Sequence, residues 1–223
     1  MPEHDPPPTL VLLCKRPAPG HGKQRLAASL GAERACTVAW ALLDCALEDL
    51  AQWCGPQVLA PDRAEAGDWA QRLPPAAQCL LQPPGNLGER LNALDRRLRA
   101  AGHRQLIFIG SDAPALGEPH YRAVCAALRS HDAALLAARD GGVVLLAARR
   151  PWPDLAALPW STPRLGAALA AACRAAGYSV GVCGESFDID RAADLACARR
   201  ELAADPRPAR RRLLACLAAL GHG

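Results

Sequence analysis

The sequence contains no run of about 18 uncharged apolar residues, so no membrane-spanning helix is expected. None of its ten cysteines forms a C-x-x-C pair, and no histidine stands at zinc-finger spacing, which argues against a structural zinc site. Most of these thiols lie in apolar stretches, as in Leu42-Leu43-Asp44-Cys45-Ala46-Leu47. They read as small buried hydrophobes in a reducing compartment. Internal repeats and low-complexity linkers are missing. So is the G-x-x-x-x-G-K-[ST] phosphate loop. The formal net charge is only +4, too little to indicate a nucleic-acid partner, though it does not oppose an anionic small molecule. Met1 to Pro8 is polar and proline-rich, with no basic segment ahead of an apolar one. No secretory signal is read there, and a cytoplasmic location is expected.

What is present is an apolar share of 51% and a charged share of 22% over 223 residues, the balance of a globular protein rather than a disordered one. One domain over residues 1–223 is expected, with a flexible N-terminus over 1–8 and a C-terminal helix within 205–223. Short apolar runs at Thr9–Cys14, Gln57–Ala60, Gln78–Gln82 and Gln105–Gly110 predict strands. Ala133–Ala138 and Val143–Ala148 flank Asp140-Gly141-Gly142 and predict two strands joined by a tight turn. Ser179–Cys183 and Phe187–Ile189 are further short strand candidates. Helical periodicity covers about 32–53, 87–101, a segment from near Pro119, 192–204 and 207–220. Ser161-Thr162-Pro163 predicts a capped helix start, and Gly177 its left-handed end. Arginines crowd the C-terminal part (Arg199, Arg200, Arg207, Arg210, Arg211, Arg212), and the simplest expectation is a solvated helix face.

Strands alternating with helices imply a mostly parallel sheet covered on both faces. Ligands then gather outside the C-terminal ends of the strands. The loop after the first strand, Lys15 to Gly22, leads into a helical region, and the segment Lys15 to Leu26 holds Gly20 and Gly22 among Lys15, Arg16, Lys23 and Arg25. Such a loop suits phosphate oxygens, and it is otherwise an exposed basic turn. Gly110-Ser111-Asp112-Ala113-Pro114 follows the strand around Gln105. Asp112 there is either a hard ligand for magnesium or manganese or a turn cap. Asp188 and Asp190 stand two apart on an extended segment and point the same way, although Asp190 alternatively caps the next helix. Gln82 at a strand end carries the donor and acceptor that reading a base edge requires. Asp140-Gly141-Gly142 is explained by hairpin chemistry alone, and Trp160 either stacks on a ligand or closes the core.

In this order, six segments resemble the radical-SAM/selenodomain-associated transferase 1 family. They are Lys15-x-Pro17-x-Pro19-Gly20-x-x-Lys23-x-Arg25-Leu26, Gln82-x-x-Gly85-x-Leu87-Gly88-Glu89-Arg90, Gly110-Ser111-Asp112-x-Pro114, Asp140-Gly141-Gly142, Trp160-Ser161-Thr162 and Asp188-Ile189-Asp190. The resemblance implies a Rossmann-like three-layer α/β/α sandwich of the glycosyltransferase-A, nucleotide-diphospho-sugar transferase type. It implies a transferase that uses Mg2+ or Mn2+ and takes a nucleotide or nucleotide-sugar and a small-molecule acceptor, by glycosyl or by nucleotidyl transfer. Under it, Asp112, Asp190 and Lys23 carry the catalysis. Lys15, Gly20, Lys23, Arg25, Gln82, Gly88, Ser111 and Asp112 hold the nucleotide. Asp112 and Asp190, helped by Asp188, hold the metal, and Asp140, Gly141, Gly142, Trp160, Ser161 and Thr162 face the acceptor. Asn86 stands where the family usually has an acid, Gln24 where it has threonine, and Val143-Val144 where it has aromatics.

Overall fold

The computed structural model describes residues 6–73 and 77–221. Residues 1–5 of the expected N-terminal extension, and residues 222–223 of the C-terminal segment, lie outside the described residues. Seven strands form one sheet: β1 (Thr9–Cys14), β2 (Gln57–Pro61), β3 (Gln78–Cys79), β4 (Leu106–Ile109), β5 (Ala133–Ala138), β6 (Val143–Ala148) and β7 (Val180–Ser186). Their order is β3-β2-β1-β4-β6-β5-β7, and only β6 runs against the others. β1 lies between β2 and β4, buried on both faces, which explains its unbroken apolar sequence.

Side chains alternate across the sheet and feed two cores. Leu10, Leu12, Ile107 and Ile109 pack against α2 (Ala32–Gln52), α3 (Gly67–Gln71) and α5 (Glu118–Leu128). Val11, Val58, Leu106 and Phe108 pack against α4 (Leu87–Ala100) and α6 (Leu165–Ala175) on the other face. The mixed α/β sandwich with a mostly parallel sheet is thus the one expected. A third cluster lies outside the sheet, where α1 (Gln24–Leu30), α7 (Ala192–Leu202) and α8 (Pro208–Ala219) pack on α2 around Phe187 and Ile189.

Several expectations need correction. β3 keeps only Gln78–Cys79. Beyond it, Leu80 N and Gln82 N still donate to Leu59 O and Pro61 O, so the chain trails β2 without forming a full ladder. Phe187–Ile189 is not a strand, because β7 already ends at Ser186 and these residues peel away from the sheet. The alternation survives: Phe187 and Ile189 enter the third cluster, while Asp188 and Asp190 face the cleft described below. Ser161 and Thr162 do not cap α6, which begins at Leu165. Thr162 Oγ1 donates instead to Pro159 O (2.7 Å) in a turn where Ser161 takes a positive φ of 61°. α1 belongs to the helical region expected after Gly22 and is parted from α2 at Gly31, which takes φ 84°, while α3 is too short for periodicity to define.

The C-terminal arginines are not one solvated face. Arg211 and Arg212 are exposed, but Arg210 is fully buried. Its guanidinium donates to both Asp49 oxygens (2.7 and 2.8 Å), to Glu48 (2.9 Å), and to the carbonyls of Cys45, Pro114 and Leu116. Arg207 adds a second contact to Asp49 (3.0 Å) and another to Leu116 O (2.7 Å). Burial pushes the Asp49 carboxyl up, against the pull of both arginines. The planar fork of arginine is what lets one cation satisfy so many acceptors without water.

Replacing Arg210 with methionine leaves Asp49 and Glu48 without their main counter-charge. Breaking such a pair by removing one partner costs about 3–5 kcal/mol, a large share of a typical domain's stability. Urea unfolding of Arg210→Met measures it, and a loss below about 1 kcal/mol would show that the network is not structural.

Candidate functional site

A cleft of about 730 Å3 opens at the C-terminal edge of the parallel strands. Its floor is apolar, from Leu13, Leu91, Phe108, Val144 and Leu146. Its charged lining comprises Lys15, Lys23, Arg25 and Arg90 together with Asp112, Asp140, Asp188 and Asp190.

The acidic wall is built from three separate loops. Asp112 follows β4. Its backbone carbonyl accepts from Ile189 N (2.9 Å), which ties the segment after β7 to the loop after β4. Asp190 is not the cap of α7. That task falls to Asp194, whose Oδ2 accepts from the N–H groups of Asp190 (2.9 Å) and Arg191 (2.6 Å) and frees the Asp190 carboxylate for the cleft. Asp140 sits in the β5–β6 turn, where Oδ1 accepts from Gly142 N (2.9 Å). The hairpin reading of that motif is therefore correct, and the same aspartate also lines the cleft.

Lys23 joins the two main carboxylates. Its Nζ lies 2.8 Å from Asp112 Oδ1 and 3.2 Å from Asp190 Oδ1, and it donates to Ile189 O at 2.5 Å. Those two carboxylate oxygens are therefore at most about 6 Å apart. Burial disfavours the charge on Lys23, but the pull of Asp112 and Asp190 outweighs it and holds the ammonium above the usual lysine range. Arg25 reaches Asp190 Oδ2 more loosely, at 3.5 Å. Asp188 has no such partner. Burial first, then Asp190, Asp140 and Asp112, push its carboxyl up to about 6. The wall thus carries more negative charge than its own cations neutralise.

Carboxylate oxygens alone are the donors that magnesium and manganese prefer, so the residue types of Asp112, Asp188 and Asp190 fit a hard divalent ion. Among the described residues, no three His, Cys, Asp or Glu side chains gather closely enough to hold one as they stand. The Lys23 ammonium lies between Asp112 and Asp190.

The remaining candidates divide. Lys15, Arg25 and Ser111 line the cleft; Gly20 lies exposed in the loop with φ 74° and does not. Gln82 is buried at the cleft wall. One amide N–H donates to Ala60 O (2.6 Å), which leaves its carbonyl oxygen and second N–H for a partner. Gly88 does not line the cleft. A Cβ there would stand 2.0 Å from Leu155 O and 2.7 Å from the Trp160 indole nitrogen, so it is glycine for close packing. Gly141 is constrained likewise, with φ 88° and Pro163 O 2.1 Å from a would-be Cβ. Trp160, Ser161 and Thr162 do line the cleft, and the Trp160 indole also donates to Leu155 O (2.9 Å), so it serves core and cleft together. Asn86 caps α4 in a reciprocal capping box with Glu89, work an aspartate could do equally well.

Three lining residues had no role assigned from the sequence. Arg90 is held by its Nε to Gly85 O (2.8 Å), which aims the rest of the guanidinium. His21 lies 3.3 Å from buried Asp62, and Arg63 donates to its Nδ1 (2.6 Å), fastening the basic loop to the end of β2. Asp62-Arg63 directly after a strand was the available signal. Cys14 also lines the cleft, but burial, aided by Asp62 and Cys79, pushes its thiol up to about 12, so it is no nucleophile near neutral pH. All ten cysteines are free thiols, in line with the sequence.

Residues 46–162, just over half of the chain, match the family described as "uncharacterized protein conserved in bacteria (DUF2064)", and the chain belongs to that family. The matched span includes Gln82, Asp112, Asp140 and Trp160 but not Lys23, Asp188 or Asp190. No curated protein matches the chain. Among solved structures, it is similar to a protein from Desulfovibrio desulfuricans G20 provisionally assigned as a nucleotide-diphospho-sugar transferase. The identity is 23%, the TM-score 0.84, and the match covers 95% of this chain and 96% of that one. It is more distantly similar to CMP:2-keto-3-deoxy-manno-octonic acid synthetase complexed with CTP, at 13% identity and TM-score 0.55 over 88% and 98% of the two chains. A third similar structure is Rv0371c of Mycobacterium tuberculosis H37Rv in complex with manganese, at 18% identity and TM-score 0.52 over 88% and 98%. At these identities the likeness shows a shared nucleotide-diphospho-sugar transferase and nucleotidyltransferase fold. No described helix is long and apolar enough to cross a membrane.

The uncompensated Asp188 charge has a consequence for stability. Its folded pKa of about 6 exceeds the ordinary value of 3.8, so ionising it opposes folding as pH rises through that interval. Asp188→Asn should therefore stabilise the protein above about pH 6, by roughly 1–2 kcal/mol after allowance for partial solvent access, and have little effect below about pH 4. Urea unfolding of both proteins across this range decides it. A stability difference that does not grow with pH would refute the assignment.

Proposed function

We propose that the chain is a single-domain, cytoplasmic transferase acting on a nucleotide or nucleotide-sugar with Mg2+ or Mn2+, within the radical-SAM/selenodomain-associated transferase 1 group. The observation that carries this reading is the meeting of Asp112 and Asp190 across Lys23, at the sheet edge where such folds place ligands, beside a glycine-containing basic loop. Similarity to a provisional nucleotide-diphospho-sugar transferase, a CTP-bound synthetase and a manganese-bound protein supports the class.

In this reading Lys15, Arg25 and Arg90 hold the phosphates by charge-assisted bonds. Gln82, fixed by its bond to Ala60, pairs with the base edge. Asp112 and Asp190, with Asp188, would hold the divalent ion, which when bound neutralises charge gathering on the leaving phosphate oxygens. The acceptor enters between the Asp140–Gly142 turn and Trp160–Thr162. The apolar floor limits water around the reacting bond.

Incubation with labelled nucleoside triphosphates and nucleotide-sugars separates the two transfer chemistries. Release of nucleoside diphosphate marks glycosyl transfer, and release of pyrophosphate marks nucleotidyl transfer. Calorimetry of four nucleoside triphosphates, with and without Mn2+, tests the site itself. Asp112→Asn should abolish the Mn2+-dependent part of binding while the protein stays folded. Arg25→Ala should weaken all four nucleotides about tenfold or more, because phosphate carries no base identity. Gln82→Ala should change their ranking instead. Nucleotide affinity indifferent to Mn2+ in the unsubstituted chain would overturn the metal reading.

A further inference from the structure

The acidic wall and a divalent ion need the same two oxygens that Lys23 already uses. Its ammonium has three N–H donors, and Asp112 Oδ1, Asp190 Oδ1 and Ile189 O account for all of them. The Lys23 side chain is only 8% exposed, whereas those of Asp112 and Asp190 remain 44% and 40% exposed, so the carboxylates still face the cleft. An ammonium and a divalent cation cannot share that gap: both are positive, and the gap is about 6 Å or less.

The backbone of Lys23 shows that this position is held by its contacts rather than by local preference. Lys23 adopts φ 47° and ψ 36°, a left-handed conformation that lysine rarely takes. Gly20 and Gly22 just ahead of it, with φ 74° and 77°, give the loop freedom to rearrange. Within the same cleft, Lys15 and Arg25 mark where an anionic phosphate would offer the ammonium another partner.

We propose that Lys23 is a built-in counter-ion that fills the divalent-metal position between Asp112 and Asp190, so that metal competes with its ammonium and enters more readily when an anionic ligand draws Lys23 away. Metal and nucleotide then bind cooperatively, because the nucleotide phosphates remove the competitor of the metal. Lys23 contacts phosphate only in that second arrangement. This inference rests on the metal assignment of the proposed function and adds the order in which the site fills.

The test is Mn2+ binding without nucleotide, followed by electron paramagnetic resonance, for the unsubstituted chain, Lys23→Met and Lys23→Gln. If the metal position is free in about one molecule in ten or fewer, removing the ammonium should tighten Mn2+ binding about tenfold or more. Adding Asp112→Asn to either variant should abolish the gain. Equal or weaker Mn2+ affinity in the variants overturns the proposal, as does a gain that survives Asp112→Asn. A second measurement needs no substitution: acetylation of Lys23, mapped by mass spectrometry, should rise at saturating Mn2+, and unchanged reactivity overturns the proposal. Failure is separable from failure of the function. Unchanged Mn2+ affinity in the variants, with Mn2+-dependent nucleotide binding intact in the unsubstituted chain, sinks the counter-ion alone. Loss of that dependence sinks the metal site altogether.

Discussion

A guanidinium with no exposure to solvent is the interaction on which the arrangement of the cleft depends. Arg210 on α8 must find a partner for every N–H it buries, and it finds them on α2 and in the turn after β4. The turn carrying Pro114 and Leu116 begins with Asp112, so the helix that ends the described chain also fixes the loop that starts the acidic wall. From there one backbone bond, Ile189 N to Asp112 O, sets the segment after β7. Asp190 then falls within reach of Lys23. A buried ion network contributes little net stability compared with apolar packing, but it tolerates few alternative geometries. That intolerance is what a site made from three distant loops requires.

Much of the frame was legible in the sequence because sheet burial leaves a strong mark. β1, β4, β5 and β6 are apolar runs with turn residues at their ends, and their limits were read closely. The C-terminal-edge rule then placed the Lys15–Leu26 loop, Asp112 and Asp190 at one cleft without coordinates. What escaped was decided by tertiary partners. Gly88 and Gly141 have the appearance of ligand-binding glycines, yet each is required because another backbone passes too close for a side chain. Arg210 looked like a surface residue because nothing local shows that Asp49, some 160 positions earlier, needs a counter-charge. Asp190 could be cap or ligand, and Asp194 resolved it by taking over the capping.

The cleft also shows an uneven distribution of charge that the net value of +4 conceals. Lys23 and Arg25 of the basic loop are paired with Asp112 and Asp190, while Asp188 has no cation beside it among the described contacts. Membership of the bacterial family rests on residues 46–162, which hold Gln82, Asp112 and the β5–β6 turn. The basic loop and the Asp188–Asp190 segment lie outside that span, so Lys15, Lys23, Arg25, Asp188 and Asp190 come from parts of the chain that the family match does not reach.

The reversed direction of β6 carries a further implication for how such a protein diversifies. A parallel strand delivers its loop to the cleft edge and must then cross back over a face of the sheet, so altering that loop disturbs a helix. The β5–β6 turn returns at once into a neighbouring strand, held by ladder pairing down to its tip. Within that turn Gly141 has Pro163 O 2.1 Å from a would-be Cβ, its carbonyl accepts from Gly166 of α6, and Val144 is buried, so only Asp140 and Val143 can be exchanged without moving a helix. Both positions line the cleft, so they can reshape its mouth while Asp112 and Asp190 stay in place, which makes them the place to look for differences between relatives.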